Sequence, residues 1–460
     1  MQEKNYILSL REILNVTNGK LIIGNENEKV ENFCRDTREI KENDVYLGIK
    51  GETKNGSIFF EDAFKNGAKG AILQDIQITD EQKQKYSDKF IIIVEDTIKA
   101  MQQIASYKRD KYDIPVVAIT GSVGKTSTKD IVASVMNEKF NTLKTSGNYN
   151  NHIGVPLTIF NLKEHEALCV EMGMNHLGEI STLSKIAKPT VSVITNIGTA
   201  HIGNLGSREN ILKAKLEILD GMKENGIIVI NNDNDLLHDW YLKNKENYNI
   251  ITYGIENESL FMAENITYTE NGSTYILKGT NQKVNVPVGG AHFVQNSLCA
   301  IAVGSIYKIP LEKIADGIEK FELTKKRMDI ININGILIIN DSYNANYDSM
   351  KAALEYLGNL QEKRKIAVLG DMLELGEYSK KLHEDVGKCV IENKIDILIT
   401  VGEEAKNIAK IAKEKIKNVI LCDSNKEAIE KINEIKKEND CILLKASNGM
   451  KFGEILEGIK

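Results

Sequence analysis

The sequence has few cysteines, and none of them are closely spaced. Its six cysteines lie far apart without CxxC spacing, and most stand beside apolar neighbours such as Leu168, Leu298 and Leu421. This pattern excludes sites that depend on paired cysteines and is typical of buried thiols. We therefore predict that the cysteines are reduced and buried.

A surplus of basic residues is also missing. The formal net charge is -6, and acidic and basic residues alternate along predicted helices such as residues 403–417. Proteins that bind nucleic acid usually carry a basic surplus concentrated in stripes. We expect no nucleic-acid partner, and we interpret the alternating charges as solvated helix faces.

Long apolar runs are absent as well. No window approaches 18 uninterrupted apolar residues, and the opening MQEKNYILSL lacks a basic segment followed by an apolar one. Membrane-spanning helices and secretory signals need these features. The sequence therefore predicts a cytoplasmic protein without membrane insertion, and its 42% hydrophobic and 27% charged residues are typical of a globular chain.

The length of 460 residues predicts several domains, and three fit the pattern best. Residues 1–112 are expected to form a small mixed α/β domain in which helices separate extended stretches at 30–35, 45–49, 70–73 and 90–94. Residues 113–323 show the strand–helix alternation of a parallel sheet. The strands of this central domain are predicted at 115–120, 167–171, 191–196 and 226–230, with an antiparallel excursion over 261–288.

Residues 324–460 alternate more regularly, with a helical pattern in every gap between strands. The strands are predicted at 335–340, 365–369, 395–401, 418–422 and 441–445. Such a series predicts a Rossmann-like, doubly wound sheet, and these sheets bind ligands outside the carboxyl ends of their strands. The fold class is therefore α/β throughout, with a P-loop ATPase-like central domain.

A phosphate-binding loop follows the first strand of the central domain. Residues 116–120 form a buried-strand pattern, residues 128–139 form a helical one, and the loop between them reads Gly121, Ser122, Val123, Gly124, Lys125, Thr126 and Ser127. Glycines let backbone N–H groups turn toward an anion, the lysine reaches terminal phosphates, and the threonine hydroxyl can ligate Mg²⁺. The loop departs from the Walker pattern because Ile119 stands where the first glycine is expected.

Three further residues are ambiguous from the pattern alone. Glu171 ends a hydrophobic strand near the loop and can ligate Mg²⁺, or it can be a solvated strand-end glutamate. His201 is expected on the same face of the sheet, although a single histidine is more often packed or on the surface. Lys215 lies on the predicted helix 208–219, where composition alone does not interpret it.

Several segments together resemble the Mur ligases: TGSVGKTS, GNYNNHIGVPLT, EMGMNHLGEI, TNIGTAHIGNLGS, AKLEI and NDSYNAN. The resemblance spans all three domains. DSYNAN with GDMLELG resembles the family member that joins D-alanyl-D-alanine (D-Ala-D-Ala) to UDP-N-acetylmuramoyl-tripeptide (UDP-MurNAc-tripeptide). The DNPR-type motif of the member that adds the third amino acid is not found. The resemblance implies that the N-terminal domain holds the UDP end, the central domain holds ATP, and the C-terminal domain brings the dipeptide.

The resemblance also implies roles for individual residues. Those implied to bind the UDP-linked substrate are Asp36, Thr37, Arg38, Asn55, Asn150 and Asn151. Those implied to bind ATP, besides the loop, are Asn296 and Asp341 at adenine and ribose, Arg327 near the phosphates, and Asn344. The resemblance implies two Mg²⁺ ions, which would be held by Thr126, Glu171, His201 and a Lys215 carbamylated by CO₂. Lys125, Glu171, His201 and Lys215 would form the catalytic set.

Two departures from the family pattern fall near the adenine pocket. Many members have His-Asn where this chain has His292-Phe293, and a proline where it has Tyr347. The expected reaction is an ATP-dependent ligation through an acyl phosphate, by a monomer, in peptidoglycan precursor synthesis. Two alternatives stay open at this point: another Mur-type or folylpolyglutamate-type amino-acid ligase, and an ATP-binding regulatory or scaffold protein without turnover.

Overall fold

A computed structural model describes residues 7–269, 272–360 and 363–460. The chain forms three α/β units in sequence order, each built around its own main sheet. This arrangement confirms the predicted fold class. The exact borders between the predicted domains remain a prediction.

The N-terminal unit contains a mixed sheet. Its strands are β1 (Leu8–Ser9), β2 (Lys20–Ile23), β3 (Lys29–Val30), β4 (Phe33–Cys34), β5 (Val45–Leu47), β6 (Gly70–Leu73) and β7 (Phe90–Ile93). Its helices are α1 (Leu10–Thr17), α2 (Phe60–Lys65), α3 (Asp80–Lys85) and α4 (Thr97–Asp110). The main sheet has the order β2-β7-β6-β5-β4, and only β2 runs antiparallel to its neighbour.

The predicted extended stretch at 30–35 contains parts of two short strands that belong to different sheets. β3 pairs with β1 in a separate antiparallel ladder, whereas β4 pairs in parallel with β5 of the main sheet. The chain changes sheets between Val30 and Phe33, and a residue pattern of alternating burial does not reveal which strand is the partner.

The central unit carries the longest sheet. Its strands are β8 (Val116–Thr120), β9 (Thr142–Lys144), β10 (Ala167–Glu171), β11 (Val191–Ile194), β12 (Ile227–Asn231), β13 (Asn249–Gly254), β14 (Phe261–Thr269), β15 (Gly272–Leu277) and β16 (Lys283–Val286). Its helices are α5 (Lys125–Asn137), α6 (Gly154–Phe160), α7 (Glu179–Ala187), α8 (Ile202–Leu205), α9 (Arg208–Leu216), α10 (Asp235–Asn244), α11 (Ala291–Ile306) and α12 (Leu311–Glu319).

Strand order explains where the loop lies. The order is β16-β15-β14-β13-β12-β11-β8-β10-β9, parallel from β9 to β14 and antiparallel from β14 to β16, which confirms the predicted excursion. β8 is fully buried because helices cover both faces of a parallel sheet, and its VVAIT sequence suits that position. The carboxyl ends of β8, β10 and β11 therefore meet at one edge.

The C-terminal unit is nearly all parallel. Its strands are β17 (Asp329–Ile333), β18 (Ile336–Asn340), β19 (Arg364–Gly370), β20 (Ile397–Val401), β21 (Asn418–Cys422) and β22 (Asp440–Lys445). Its helices are α13 (Tyr347–Asn359), α14 (Ser379–Glu392), α15 (Lys406–Ala412), α16 (Asn425–Ile435) and α17 (Gly453–Ile459). The order β17-β18-β22-β19-β20-β21 confirms the predicted doubly wound sheet, with β17 as an antiparallel edge.

Asp130 ties the linker between the last two units to the phosphate-loop helix. Its carboxylate, on α5, accepts hydrogen bonds from the Thr324 amide at 3.2 Å and the Thr324 hydroxyl at 2.7 Å. Lys144 Nζ donates to the same carboxylate at 2.7 Å. The Asp130 side chain is only 1% exposed, so these contacts are shielded from solvent.

The cysteines largely follow the prediction. All six are free and five are buried, but Cys34 is only partly buried because β4 lies at the edge of its sheet. In the described ranges, no helix combines the length and the apolar character needed to cross a bilayer.

Lys108 on α4 should make stability depend on pH. Its fully buried Nζ donates to the Phe160 carbonyl at 2.6 Å, and burial, with a smaller effect of Lys163, lowers its pKa to about 7. The unfolded chain binds more protons between this value and the ordinary 10.5, so the free energy of unfolding should rise with pH across that window. Lys108→Met should flatten this rise.

Urea unfolding at pH 7 and pH 9 would measure the effect. Lys99→Met changes an exposed lysine on the same helix and serves as the control, with a pH dependence like that of the unaltered chain. The same pH dependence in Lys108→Met as in the unaltered chain would contradict the prediction.

Candidate nucleotide and metal site

A cleft opens between the central and C-terminal units at the carboxyl ends of β8 and β10. The volume of the cleft is about 300 Å³. The predicted site residues that line it are Ser122, Val123, Gly124, Lys125, Thr126, Ser127, Asn150, Asn151, Glu171, His201, Arg327, Asp341 and Asn344. Most of the predicted ATP and metal residues therefore come together.

The phosphate loop depends on two glycines. Gly121 has a φ of +149°, and a Cβ there would lie 1.9 Å from Thr195 Oγ1. Gly124 has a φ of +80° and precedes the first turn of α5, whose backbone amides have no acceptor within the helix. Ile119 is buried within β8, so the turn begins at Gly121, later than in the Walker pattern.

Lys125 folds back over this loop. Its Nζ donates to the Gly121 carbonyl at 2.8 Å, and burial lowers its pKa, with Glu171 opposing and Arg327 adding to the effect. A lysine in this position can exchange the carbonyl for phosphate oxygens, which it would bind as a cation.

Asn196, which follows β11, braces the loop from behind. Its carbonyl accepts from the Ser122 amide at 3.0 Å, and its side chain exchanges hydrogen bonds with Val123 N and O at 2.9 and 3.0 Å. These two loop amides are therefore occupied, which leaves the first turn of α5 to face an anion. The sequence predicts Asn196 at the end of a strand but does not indicate that it bonds to the phosphate loop.

Glu171 joins the loop to the neighbouring segment. Its carboxylate, on a residue 1% exposed, accepts from Thr126 Oγ1 at 2.8 Å and from Asn150 Nδ2 at 2.7 Å. The strand-end glutamate is thus buried rather than solvated. Asn151 instead accepts from the backbone amides of Ile153 and Gly154, at the start of α6.

The oxygen donors at this point fit Mg²⁺. Mg²⁺ usually takes one or two carboxylates together with phosphate oxygens and waters, rather than a full protein cage. Accordingly, no cluster of three or more His, Cys, Asp or Glu side chains suited to a metal occurs in the described ranges. Thr126 and Glu171 supply a hydroxyl and a carboxylate beside the phosphate loop.

Lys215 is a buried amine for which the described part of the chain offers no hydrogen-bond partner. The residue is 0% exposed. Burial lowers its pKa well below the ordinary value, and the nearby Lys125 lowers it further, against an opposing effect of Glu171. A neutral amine reacts with CO₂, so these surroundings suit the carbamate that the family resemblance implies.

His201 adopts a left-handed backbone conformation, with a φ of +62°. Burial, followed by Lys125 and Lys215, lowers its pKa to about 3, so the ring is neutral. Its Nδ1 lies 2.9 Å from Glu374 Oε2, across the boundary between the two units. The structure therefore adds Glu374 to the residues near the candidate metal site. In the sequence, Glu374 stands out only as part of the family motif GDMLELG.

Asp341 and Arg327 are held in the cleft by contacts with other residues of the C-terminal unit. Asp341 accepts from Lys445 Nζ and from the Met328 amide at 3.3 Å. The Arg327 guanidinium stacks 4.0 Å from the centre of the Tyr343 ring. Lys445 and Tyr343 also line the cleft. Lys445 ends a predicted strand and Tyr343 lies within the NDSYNAN segment, but the sequence did not assign either of them to the ATP site.

Two predicted ATP residues need separate comment. Asn344 is exposed at the rim, and Lys445 Nζ donates to its backbone carbonyl at 3.2 Å. Asn296 is 5% exposed and lies behind the loop, where a Cβ on Gly124 would be 3.2 Å from its Oδ1. Among the described residues that line the cleft, Asn296 is missing, so its adenine role stays a prediction.

The four predicted residues of the N-terminal unit lie outside the cleft lining. Asp36 and Arg38 pair with each other at 2.6 Å, and this contact lowers the pKa of Asp36 to about 2. The Thr37 carbonyl accepts from Asn66 Nδ2. Asn55 Oδ1 accepts from the Ser57 amide and Asn55 Nδ2 donates to the Gln74 carbonyl, so both polar atoms of the side chain bond to the surrounding backbone. Their substrate roles remain predictions.

Comparison with known proteins decides the family. The sequence model of the Mur ligase middle domain matches residues 119–304, and that of the Mur ligase glutamate ligase domain matches residues 326–448. The UDP-N-acetylmuramoyl-tripeptide–D-alanyl-D-alanine ligase of Bacillus subtilis is 36% identical over 439 residues, 94% of each chain. The chain belongs to the Mur ligase family.

Solved Mur ligase structures agree with this assignment. A crystal structure of MurF from Acinetobacter baumannii has a TM-score of 0.88 at 29% identity, covering 98% of both chains. MurF from Thermotoga maritima in complex with ADP has a TM-score of 0.82 at 28% identity, covering 93% of this chain and 96% of that one. The similarity therefore extends over all three units of this Mur ligase.

Proposed function

We propose that this Mur ligase joins D-Ala-D-Ala to UDP-MurNAc-tripeptide with hydrolysis of ATP to ADP and phosphate. The observation that carries the proposal is the phosphate loop, with Lys125 folded over it and Thr126 hydrogen-bonded to Glu171 beside it. The buried Lys215 lies outside the cleft lining but near enough for the charges of Lys125 and Glu171 to shift its pKa. The names of the Bacillus subtilis and Acinetobacter baumannii relatives support this choice of substrates. We further propose that the protein is a cytoplasmic monomer that contributes to peptidoglycan precursor synthesis.

The proposed reaction has two steps. The terminal phosphoryl group of ATP is transferred to the free carboxylate of the tripeptide, which gives an acyl phosphate and ADP. The amine of D-Ala-D-Ala then attacks the acyl carbon, the peptide bond forms, and phosphate leaves with the loss of a proton from the amine. Because phosphate is the leaving group, no nucleophilic side chain is required.

The residues of the chain mainly bind and orient. The first-turn amides of α5 and the Lys125 ammonium would hold the terminal phosphates and balance their negative charge. Asn196 keeps the loop in the shape that presents those amides. Arg327, fixed by stacking on Tyr343, would approach the phosphates from the C-terminal side of the cleft.

Mg²⁺ would be held by Thr126, Glu171, His201 and carbamylated Lys215. When bound, it supplies positive charge that neutralises phosphate oxygens. Carbamylation would convert a buried amine, which cannot ligate a cation while protonated, into an anionic oxygen donor. Asn150 positions Glu171 through the hydrogen bond between its Nδ2 and the carboxylate.

Substrate dependence tests the proposal directly. ADP and phosphate should appear only when ATP, Mg²⁺, UDP-MurNAc-tripeptide and D-Ala-D-Ala are all present, and mass spectrometry should detect the UDP-linked pentapeptide. Tripeptides ending in diaminopimelate and in lysine should be compared, with D-Ala-D-Ala replaced by glutamate as an amine control. ATP hydrolysis that does not depend on the amine, or ligation of glutamate alone, would overturn the proposed function.

A further inference from the structure

Glu374 reaches the candidate metal site from the other side of the cleft. It lies in the segment after β19, and its carboxylate is 2.9 Å from Nδ1 of His201, a residue 173 positions away in the chain. His201 belongs to the central unit and lines the cleft with Lys125 and Glu171. The contact is thus a direct link from the C-terminal unit to a predicted metal ligand.

The backbone around this contact is closely fitted. His201 and Glu374 both have left-handed φ values, +62° and +64°, which non-glycine residues adopt only where their surroundings support them. A Cβ at Gly203 would lie 2.7 Å from the Glu374 carbonyl, so a larger residue would separate the two segments. Tyr378 further fastens them, because its hydroxyl donates to the Gly206 carbonyl at 2.6 Å.

The chemistry of the contact defines the histidine tautomer. A neutral imidazole has one N–H donor and one lone pair, and a carboxylate only accepts. Nδ1 of His201 must therefore carry the proton that Glu374 accepts, which leaves the lone pair on Nε2. A histidine that binds metal through Nε2 must present a lone pair there, and the 2.9 Å contact between Nδ1 and the Glu374 carboxylate favours that arrangement.

We propose that Glu374 is a positioning residue that fixes the orientation and tautomer of His201, so that Nε2 is ready to bind metal when the C-terminal unit is docked. Carboxylates that accept from the second nitrogen of a metal-binding histidine have this effect in other metal sites. The proposal deepens the proposed function, because it depends on His201 acting as a Mg²⁺ ligand. Under this proposal, the docked C-terminal unit orients one of the metal ligands of the central unit.

The tautomer can be measured without nucleotide or metal. In the ¹⁵N-labelled, ligand-free protein, the His201 ring, assigned by its loss in His201→Gln, should show a protonated Nδ1 and an unprotonated Nε2. Glu374→Ala should shift the ring toward a mixture of tautomers, whereas Glu374→Gln should keep the original one because its amide oxygen still accepts. A wild-type ring protonated at Nε2 would overturn the proposal without reference to any variant.

Metal dependence gives a second readout. The Mg²⁺ concentration for half-maximal ligation should rise about 10-fold in Glu374→Ala and remain within about 3-fold in Glu374→Gln. Glu377→Ala, at an exposed position in the same segment, is the matched control and should match the unaltered chain. An unchanged Mg²⁺ dependence in Glu374→Ala would overturn the proposal. Failure of the wild type to ligate would instead overturn the proposed function and leave the tautomer measurement intact.

Discussion

Lys125→Ala should reduce ligation by at least about 1000-fold, while the protein stays folded. Lys125 is the cation of the phosphate loop, and its ammonium already lies over the loop at 2.8 Å from the Gly121 carbonyl. Loss of one preorganised donor to a developing negative charge costs about 100- to 1000-fold in rate, and a full charge facing a phosphoryl group contributes more. Initial rates of phosphate release with all substrates present would measure the loss.

The matched control is Lys139→Ala, an exposed lysine just beyond the far end of α5. It should retain ligation within about 2-fold. Circular dichroism should be unchanged and the melting temperature should not fall in Lys125→Ala, because the change removes a partly buried lysine whose desolvation lowers its pKa. Ligation within about 10-fold of wild type would contradict the role of Lys125, and loss of ligation with an intact fold would exclude a scaffold that binds ATP without turnover.

Lys215→Met should lower ligation by at least about 100-fold and remove a carbamate signal from the protein. Methionine fills a similar volume and has no amine, so the change tests chemistry more than packing. With ¹³C-labelled bicarbonate, the wild type should show a carbamate carbon resonance that is missing from Lys215→Met. Lys213→Met, which changes an exposed lysine on α9, should keep both the resonance and the activity.

The pH dependence of this signal has a definite sign. CO₂ reacts with the neutral amine, and burial lowers the pKa of Lys215, so the neutral form exists at lower pH than for an ordinary lysine. The carbamate should therefore be present near neutral pH and disappear on acidification, which protonates it and releases CO₂. A wild-type protein without the resonance at neutral pH, together with an active Lys215→Met, would contradict this prediction.

The sequence predicted the part of the site that is formed by residues close together in the chain. Residues 116–127 read as strand, loop and helix. Signals of this kind are local, because a strand end and a helix start are close in the chain. For Glu171 the sequence left open a metal ligand or a solvated strand end, and the observed pairing of β8 with β10 decides that it is buried beside Thr126. The departure at Ile119 lies outside the loop, because Ile119 belongs to β8 and the turn begins at Gly121.

Contacts between units were not predictable in the same way. Asp348 accepts from the amide and hydroxyl of Thr199 at 2.7 and 2.8 Å, and Glu374 contacts His201, yet each pair is separated by about 150 residues or more. Such pairs depend on how two sheets meet, which periodicity does not encode. Lys445 and Asp341 instead lie at the ends of adjacent strands of one sheet, β22 and β18, and the strand order that brings them together is also not encoded in the periodicity.

The anchoring of Thr324 by Asp130 has a mechanical consequence. A rotation of the C-terminal unit that preserves these two hydrogen bonds has its pivot on α5, about 8 Å along the helix from Lys125. Arg327 lies three residues after Thr324 and would move only a short distance in such a rotation. β21, at the far edge of the C-terminal sheet, would move much further. The helix that presents the phosphate loop would therefore also be the axis about which the C-terminal unit, proposed to bind the dipeptide, rotates.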